Sequence, residues 1–194
     1  MRYRSNEGGL APIILLVILN FLVYIAVNIA LRTGGNIIQY LALSRSTFFD
    51  YPWTVVTYMF THQDFFHILF NMLTLYFFGQ FLNRIVGTRI FFTIYFIGGL
   101  VSGLVILLLS PITSSTIGAS GAIFALGGAL AVLTPQLRVF IFPIPVPMPL
   151  WLAILITFLV LALIPGVSWQ GHLGGLLFGL LAGWYLRRRL RIII

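Results

Sequence analysis

Residues 116–128 read TIGASGAIFALGG, a serine held between glycines at the mouth of an apolar run that continues to Thr134 without a charge. A serine in such a setting is either packing glue between membrane helices or a nucleophile, and the rest of the chain has to decide which. Of the 194 residues, 60% are hydrophobic and only 7% are charged. Mean hydropathy is +1.09. A soluble domain of this size needs far more charge to cover its surface, so the chain belongs in lipid. We expect an all-α membrane protein whose residues 1–194 form a single helical bundle, with no soluble accessory domain.

The formal net charge of +8 comes entirely from arginine, because the sequence has no lysine. These arginines flank apolar runs, as topology signals do, which argues for a bilayer and against nucleic acid as the partner. Cysteine is absent, and Glu7, Asp50 and Asp64 are the only carboxylates. None of the three falls inside a long apolar run, so paired intramembrane aspartates are excluded. Six apolar spans follow: Leu10–Leu31, Phe65–Leu82, Ile90–Ser110, Gly118–Thr134, Pro149–Ile164 and Gln170–Leu186. The first follows Arg2 and Arg4 like a signal peptide, but it is too long and lacks a small-residue cleavage site, so it reads as a retained helix.

Placing both termini inside puts nine of the eleven arginines (Arg2, Arg4, Arg84, Arg89, Arg138, Arg187, Arg188, Arg189 and Arg191) on the inner side. Only Arg32 and Arg45 are then outside, and the charge bias selects this N-in, C-in arrangement. The outer connection Arg32–Asp64 is long and aromatic, and suits segments lying in the interface with Tyr51, Trp53 and Tyr58 at headgroup level.

Depth brings the polar residues together. Ser120 and His172 each precede the inner boundary by fifteen residues, or about 22 Å, and Asn71 by thirteen, or about 20 Å. His67 stands one turn above Asn71 on the same face. The fourth span, counted from Ser120, covers only part of a core about 30 Å thick, so its helix starts within the membrane and a water-accessible pocket opens outward. Gly171, Gly175, Gly179 and Gly183 form a smooth stripe on the sixth span. It faces Gly118, Gly121, Ala122, Ala125 and Gly128 on the fourth, so the two backbones can approach closely.

A hydroxyl becomes a useful nucleophile when a neighbouring imidazole takes its proton, and Ser120 with His172 supplies that pair. Ser120 also opens a helix, whose free N–H groups can hold a developing oxyanion. Asn71 and His67 complete the set as side-chain donors to that oxyanion, with Gly118 beside them; each could equally hydrogen-bond between helices. Gly118 and Gly121 leave room for a substrate backbone. Phe124, one turn below Ser120, offers a platform under the imidazole, although an aromatic there also serves as core. No carboxylate remains to orient His172, so the unit is a dyad.

With "HILFNM" (His67–Met72), "GASGAIFAL" (Gly118–Leu126) and "GHLGGLLFG" (Gly171–Gly179) in this order, the chain resembles the rhomboid family of intramembrane serine proteases over nearly its whole length. The resemblance implies Ser120 as nucleophile and His172 as general base, with Asn71, His67 and the Ser120 N–H around the oxyanion. It also implies that the fifth span and its adjoining outer loop gate the entry of a substrate helix. Two positions depart from the family pattern: Thr54 follows Trp53 where arginine is common, and Asn83 stands where glutamate is common. The expected activity is endoproteolysis of single-span membrane proteins in a cell membrane, with a prokaryotic setting favoured and no metal or cofactor required. A non-catalytic binder of membrane helices is the alternative. A zinc protease built on His62, His67 and His172 lacks His-Glu-x-x-His, and a small transporter lacks an inverted repeat.

Overall fold

The computed structural model describes residues 9–141 and 144–190. Arg2, Arg4, Glu7 and Arg191, which enter the charge argument, lie outside them. Among the described residues seven α-helices are present: α1 (Ala11–Arg32), α2 (Thr54–Thr57), α3 (Phe65–Val86), α4 (Thr88–Leu109), α5 (Ser120–Leu133), α6 (Leu150–Ala162) and α7 (Trp169–Leu190). By length and composition α1, α3 and α4 can cross a membrane, while α5 and α6 are shorter apolar helices. At 14 residues, α5 is about 21 Å long.

Local chemistry explains the ends. Pro12 sits in the first turn of α1, where its missing N–H costs nothing. The Asp64 side chain caps α3 by accepting from the His67 backbone N–H at 2.9 Å. Gly87, at φ +79, takes a conformation an L residue rarely adopts and lets α3 turn directly into α4. All of α5 from Gly121 to Ala131 is buried, so this helix, apolar on every face, is the centre of the bundle. By contrast α1 leaves Leu15, Leu22 and Ile29 more than half exposed, as a lipid-facing helix does.

Glycine sets how the central helices meet. A Cβ on Gly175 would run into the Gly121 carbonyl, and one on Gly179 into that of Ala125. One on Gly183 would lie 2.7 Å from the Ala129 oxygen, and one on Gly128 the same distance from the Leu176 oxygen. Backbone therefore lies on backbone along α5 and α7, as the small-residue stripe predicts. The first glycine of the stripe behaves differently: Gly171 faces Ile106 and Ser102 of α4, and Gly174 faces Val105. Thus α7 is wedged against two helices rather than one.

Three expectations are corrected. The protein is not wholly helical, because two antiparallel pairs occur. Strand β1 (Leu43–Ser44) pairs with β2 (Ser115–Thr116), and β3 (Arg138–Ile141) with β4 (Ile144–Pro149). The second pair occupies the stretch read as proline punctuation between the fourth and fifth spans; its prolines suit a two-stranded ribbon that has open edges. Tyr58 does not present its ring to an interface. It is 1% exposed, and its hydroxyl donates to the Gly99 carbonyl at 2.7 Å. Nor does the gap at Gly121 face open space, because a Cβ there would strike the Ser102 hydroxyl of α4.

Both departures from the family pattern find local partners. Thr54 is buried, and its hydroxyl donates to the Tyr51 carbonyl at 2.7 Å. Asn83 is buried and donates to the Gly9 carbonyl at 3.1 Å, tying the end of α3 to the start of α1.

Candidate active site

The close approach of α5 and α7 puts their first turns side by side. Ser120 Oγ and His172 Nε2 lie 2.8 Å apart, although 52 residues separate them in sequence. His172 is 5% exposed, whereas Ser120 is half-buried, so the hydroxyl is the accessible member of the pair. The Phe124 ring, one turn along α5, lies 4.6 Å from the imidazole between centroids, at an interplanar angle of 33°. It is itself met edge-on by Phe158 of α6. His172 Nδ1 has no hydrogen-bond partner among the described residues.

On α3, the Asp64 cap fixes the first turn, so His67 and Asn71 follow on one face. Asn71 is 8% exposed and donates one amide hydrogen to the His67 carbonyl at 2.8 Å. Its second amide hydrogen is uncommitted by that bond. His67 reaches across to the stretch that leads into α5: a Cβ on Gly118 would lie 2.6 Å from its Nε2, and Gly118 itself adopts φ +118. That glycine is needed twice, for its backbone angle and for the histidine packed on it. Its own N–H donates to the Tyr58 carbonyl at 2.8 Å, so the Gly118 amide is engaged by the loop. Gly175 contributes through its missing Cβ alone, by letting α7 lie against the Gly121 backbone.

One residue was weighed in the sequence only as a metal ligand. His62 is 0% exposed, and its Nε2 accepts the Ala119 N–H at 3.4 Å. Its Nδ1 lies 3.3 Å from the Phe60 carbonyl, and its ring meets that of His67 edge-on at 5.0 Å. Burial pulls the His62 pKa down to about 4 and His67 adds to this, while the Phe60 carbonyl and Asp64 act in the opposite sense. The signal was a third histidine in so apolar a chain, but loop length hid what it would touch. Among the described residues no three His, Cys, Asp or Glu side chains group as metal ligands.

A hydroxyl against an imidazole, at a helix N-terminus with free N–H groups, can carry out acyl transfer. Known proteins bear on whose site this is. The Rhomboid domain family matches residues 50–189. "Rhomboid protein 1, mitochondrial" of Saccharomyces cerevisiae is 32% identical over 146 residues, covering 70% of this chain and 42% of that protein. "RHOMBOID-like protein 4" of Arabidopsis thaliana is 31% identical over 138 residues, covering 71% of this chain and 34% of that protein. "Rhomboid protease GluP" of Bacillus subtilis is 30% identical over 130 residues, covering 67% and 25%. In each case the match spans less than half of the relative's own length. The matched region runs from just before α2 to the end of α7 and contains every residue of the hydroxyl–imidazole site, so the chain belongs to the rhomboid family.

Proposed function

We propose that this chain is an intramembrane serine endopeptidase that cuts the transmembrane segments of single-span membrane proteins. The 2.8 Å approach of Ser120 Oγ to His172 Nε2 carries this reading. With Nε2 unprotonated, the imidazole accepts the hydroxyl proton as Oγ attacks the scissile carbonyl carbon. The oxyanion is met by the Ser120 N–H, the uncommitted Asn71 amide hydrogen and the His67 ring, while Gly118 leaves the space that lets His67 close in. His172 then gives its proton to the leaving amine, and the C–N bond breaks to leave an acyl-enzyme on Ser120. Water, deprotonated by His172, releases the second product. Phe124 holds the imidazole plane.

In this reading six helices (α1 and α3–α7) cross the membrane with both termini inside, in a prokaryotic cell membrane. Gathering Arg84, Arg89, Arg138 and Arg187–Arg189 on the inner side supports it. The 14-residue length of α5 supports a dyad that lies below the outer surface yet within reach of water. A substrate helix must unwind to expose its peptide bond, so small residues (Gly, Ala or Ser) near the cut are preferred: all three leave the carbonyl uncovered, and Gly and Ser also weaken the helix. The experiment is reconstitution of purified protein with single-span substrates, with the cut mapped by mass spectrometry. Cleavage that Ser120→Ala and His172→Ala both abolish is the expected result. Binding of the substrate helix without any cleavage would instead make the chain a non-catalytic helix binder.

A further inference from the structure

We propose that His62 is a positioning residue that presets the backbone in front of Ser120 for oxyanion binding, by accepting the Ala119 N–H on its Nε2. The inference rests on the reading of Ser120 as the nucleophile. Three successive amides carry it. The Gly118 N–H donates to the Tyr58 carbonyl, and the Ala119 N–H donates to His62 Nε2. The third, the Ser120 N–H, has no backbone acceptor among the described residues. The segment 58–62 thus ties down the two amides before the nucleophile and leaves the next one free for the substrate's oxygen. A donor that must meet a developing charge is most effective when its direction is fixed beforehand.

An imidazole suits this place. Fully buried, it must be neutral, and the Nδ1–H directed at the Phe60 carbonyl leaves Nε2 as the acceptor. A proton on Nε2 would set two donors against each other. The groups facing His62 are His67 of α3, Asp64 at the cap of α3 and the Ala119–Ser120 start of α5. A cation at His62 would also crowd His67. Its position beside the oxyanion donors, rather than its bulk, therefore defines its role.

The test compares His62→Leu, which fills the space without an acceptor, with His62→Gln, which returns an amide oxygen near Nε2. Both are made in the full chain, purified in detergent. Two readouts are taken: deuterium exchange of segment 116–121, and the rate of Ser120 labelling by a fluorophosphonate. His62→Leu should lose exchange protection in that segment and label about tenfold more slowly or worse. His62→Gln should recover to within about threefold of wild type, which a purely space-filling role would not produce. If His62→Leu does not fold, His62→Asn takes its place, because its amide can still serve Phe60 but is too short for Ala119; it should behave as Leu does. Wild-type exchange and labelling in the acceptor-free variant overturn the proposal, as does a Gln variant no better than Leu. Absence of labelling in the wild type would refute the protease reading, and with it any role in positioning for oxyanion chemistry. The exchange arm would still show whether His62 holds the segment.

Discussion

Gly175→Ala tests whether backbone contact between α5 and α7 is what makes the Ser120–His172 pair. The added methyl would meet the Gly121 carbonyl, with its carbon 2.8 Å from the carbonyl carbon. Ordinary carbon–carbon contact begins at about 3.5 Å, so the two helices must part locally by at least about 0.7 Å. Gly121 follows Ser120 directly, and Gly175 lies one turn from His172, so the displacement falls on the dyad. A separation of 2.8 Å then stretches to the outer limit of a hydrogen bond. Misplacement on this scale is expected to slow fluorophosphonate labelling about ten- to a hundredfold. Overpacking of this kind also costs about 1–3 kcal/mol of stability. Gly179→Ala is the matched control. Its methyl would meet the Ala125 carbonyl, again with its carbon 2.8 Å from the carbonyl carbon, a comparable insult about 10 Å along the helix from His172. Its melting temperature should fall as much, while labelling falls far less. Labelling of Gly175→Ala at the wild-type rate, or equal losses of labelling in both variants, would refute the reasoning.

Gly118→Ala should be nearly inactive yet folded: the backbone is at φ +118 and the methyl would press on His67 Nε2, a strain of about 1–3 kcal/mol borne at the site itself, read by labelling against melting. Tyr58→Phe should lower stability by about 1 kcal/mol, through loss of the buried bond to Gly99, and leave labelling within about threefold; thermal unfolding in detergent checks this. His62 predicts an acid limb in stability. Its folded pKa of about 4 lies below the ordinary 6.5, so the unfolded chain binds the proton first. Its contribution is complete above pH 6.5, is lost as pH falls toward 4, and amounts to at most about 3 kcal/mol. The difference between wild type and His62→Gln in unfolding midpoints from pH 7 to 4 should show that limb, and parallel midpoints would contradict it.

What could be read from the sequence follows a physical divide. Helices announce themselves by unbroken apolar runs, and the glycine stripe of α7 announces a close neighbour, because both signals are local and periodic. Rise per residue was enough to bring Ser120 level with His172, since α5 and α7 lie side by side and carry them in their first turns. The β3–β4 ribbon was missed because its prolines read as breaks, although a two-stranded ribbon tolerates them. Tyr58 was misplaced because a tyrosine between aromatic neighbours suits an interface as well as a core. Only a partner for its hydroxyl decides between them, and Gly99 lies 41 residues away. His62 could not be placed for the same reason: its acceptor role depends on the Ala119 amide, 57 residues distant across an irregular loop. The N–H of Gly118 is spent on Tyr58, again through a long-range contact that no spacing encodes.

The most direct test is the position of the covalent adduct after the purified protein meets a fluorophosphonate. Peptide mapping should find the phosphonyl group on Ser120 and on no other hydroxyl, with none formed in His172→Ala. An adduct spread over several serines, or one on Ser120 that forms as fast without the imidazole, would contradict the claim that these two side chains work as one unit.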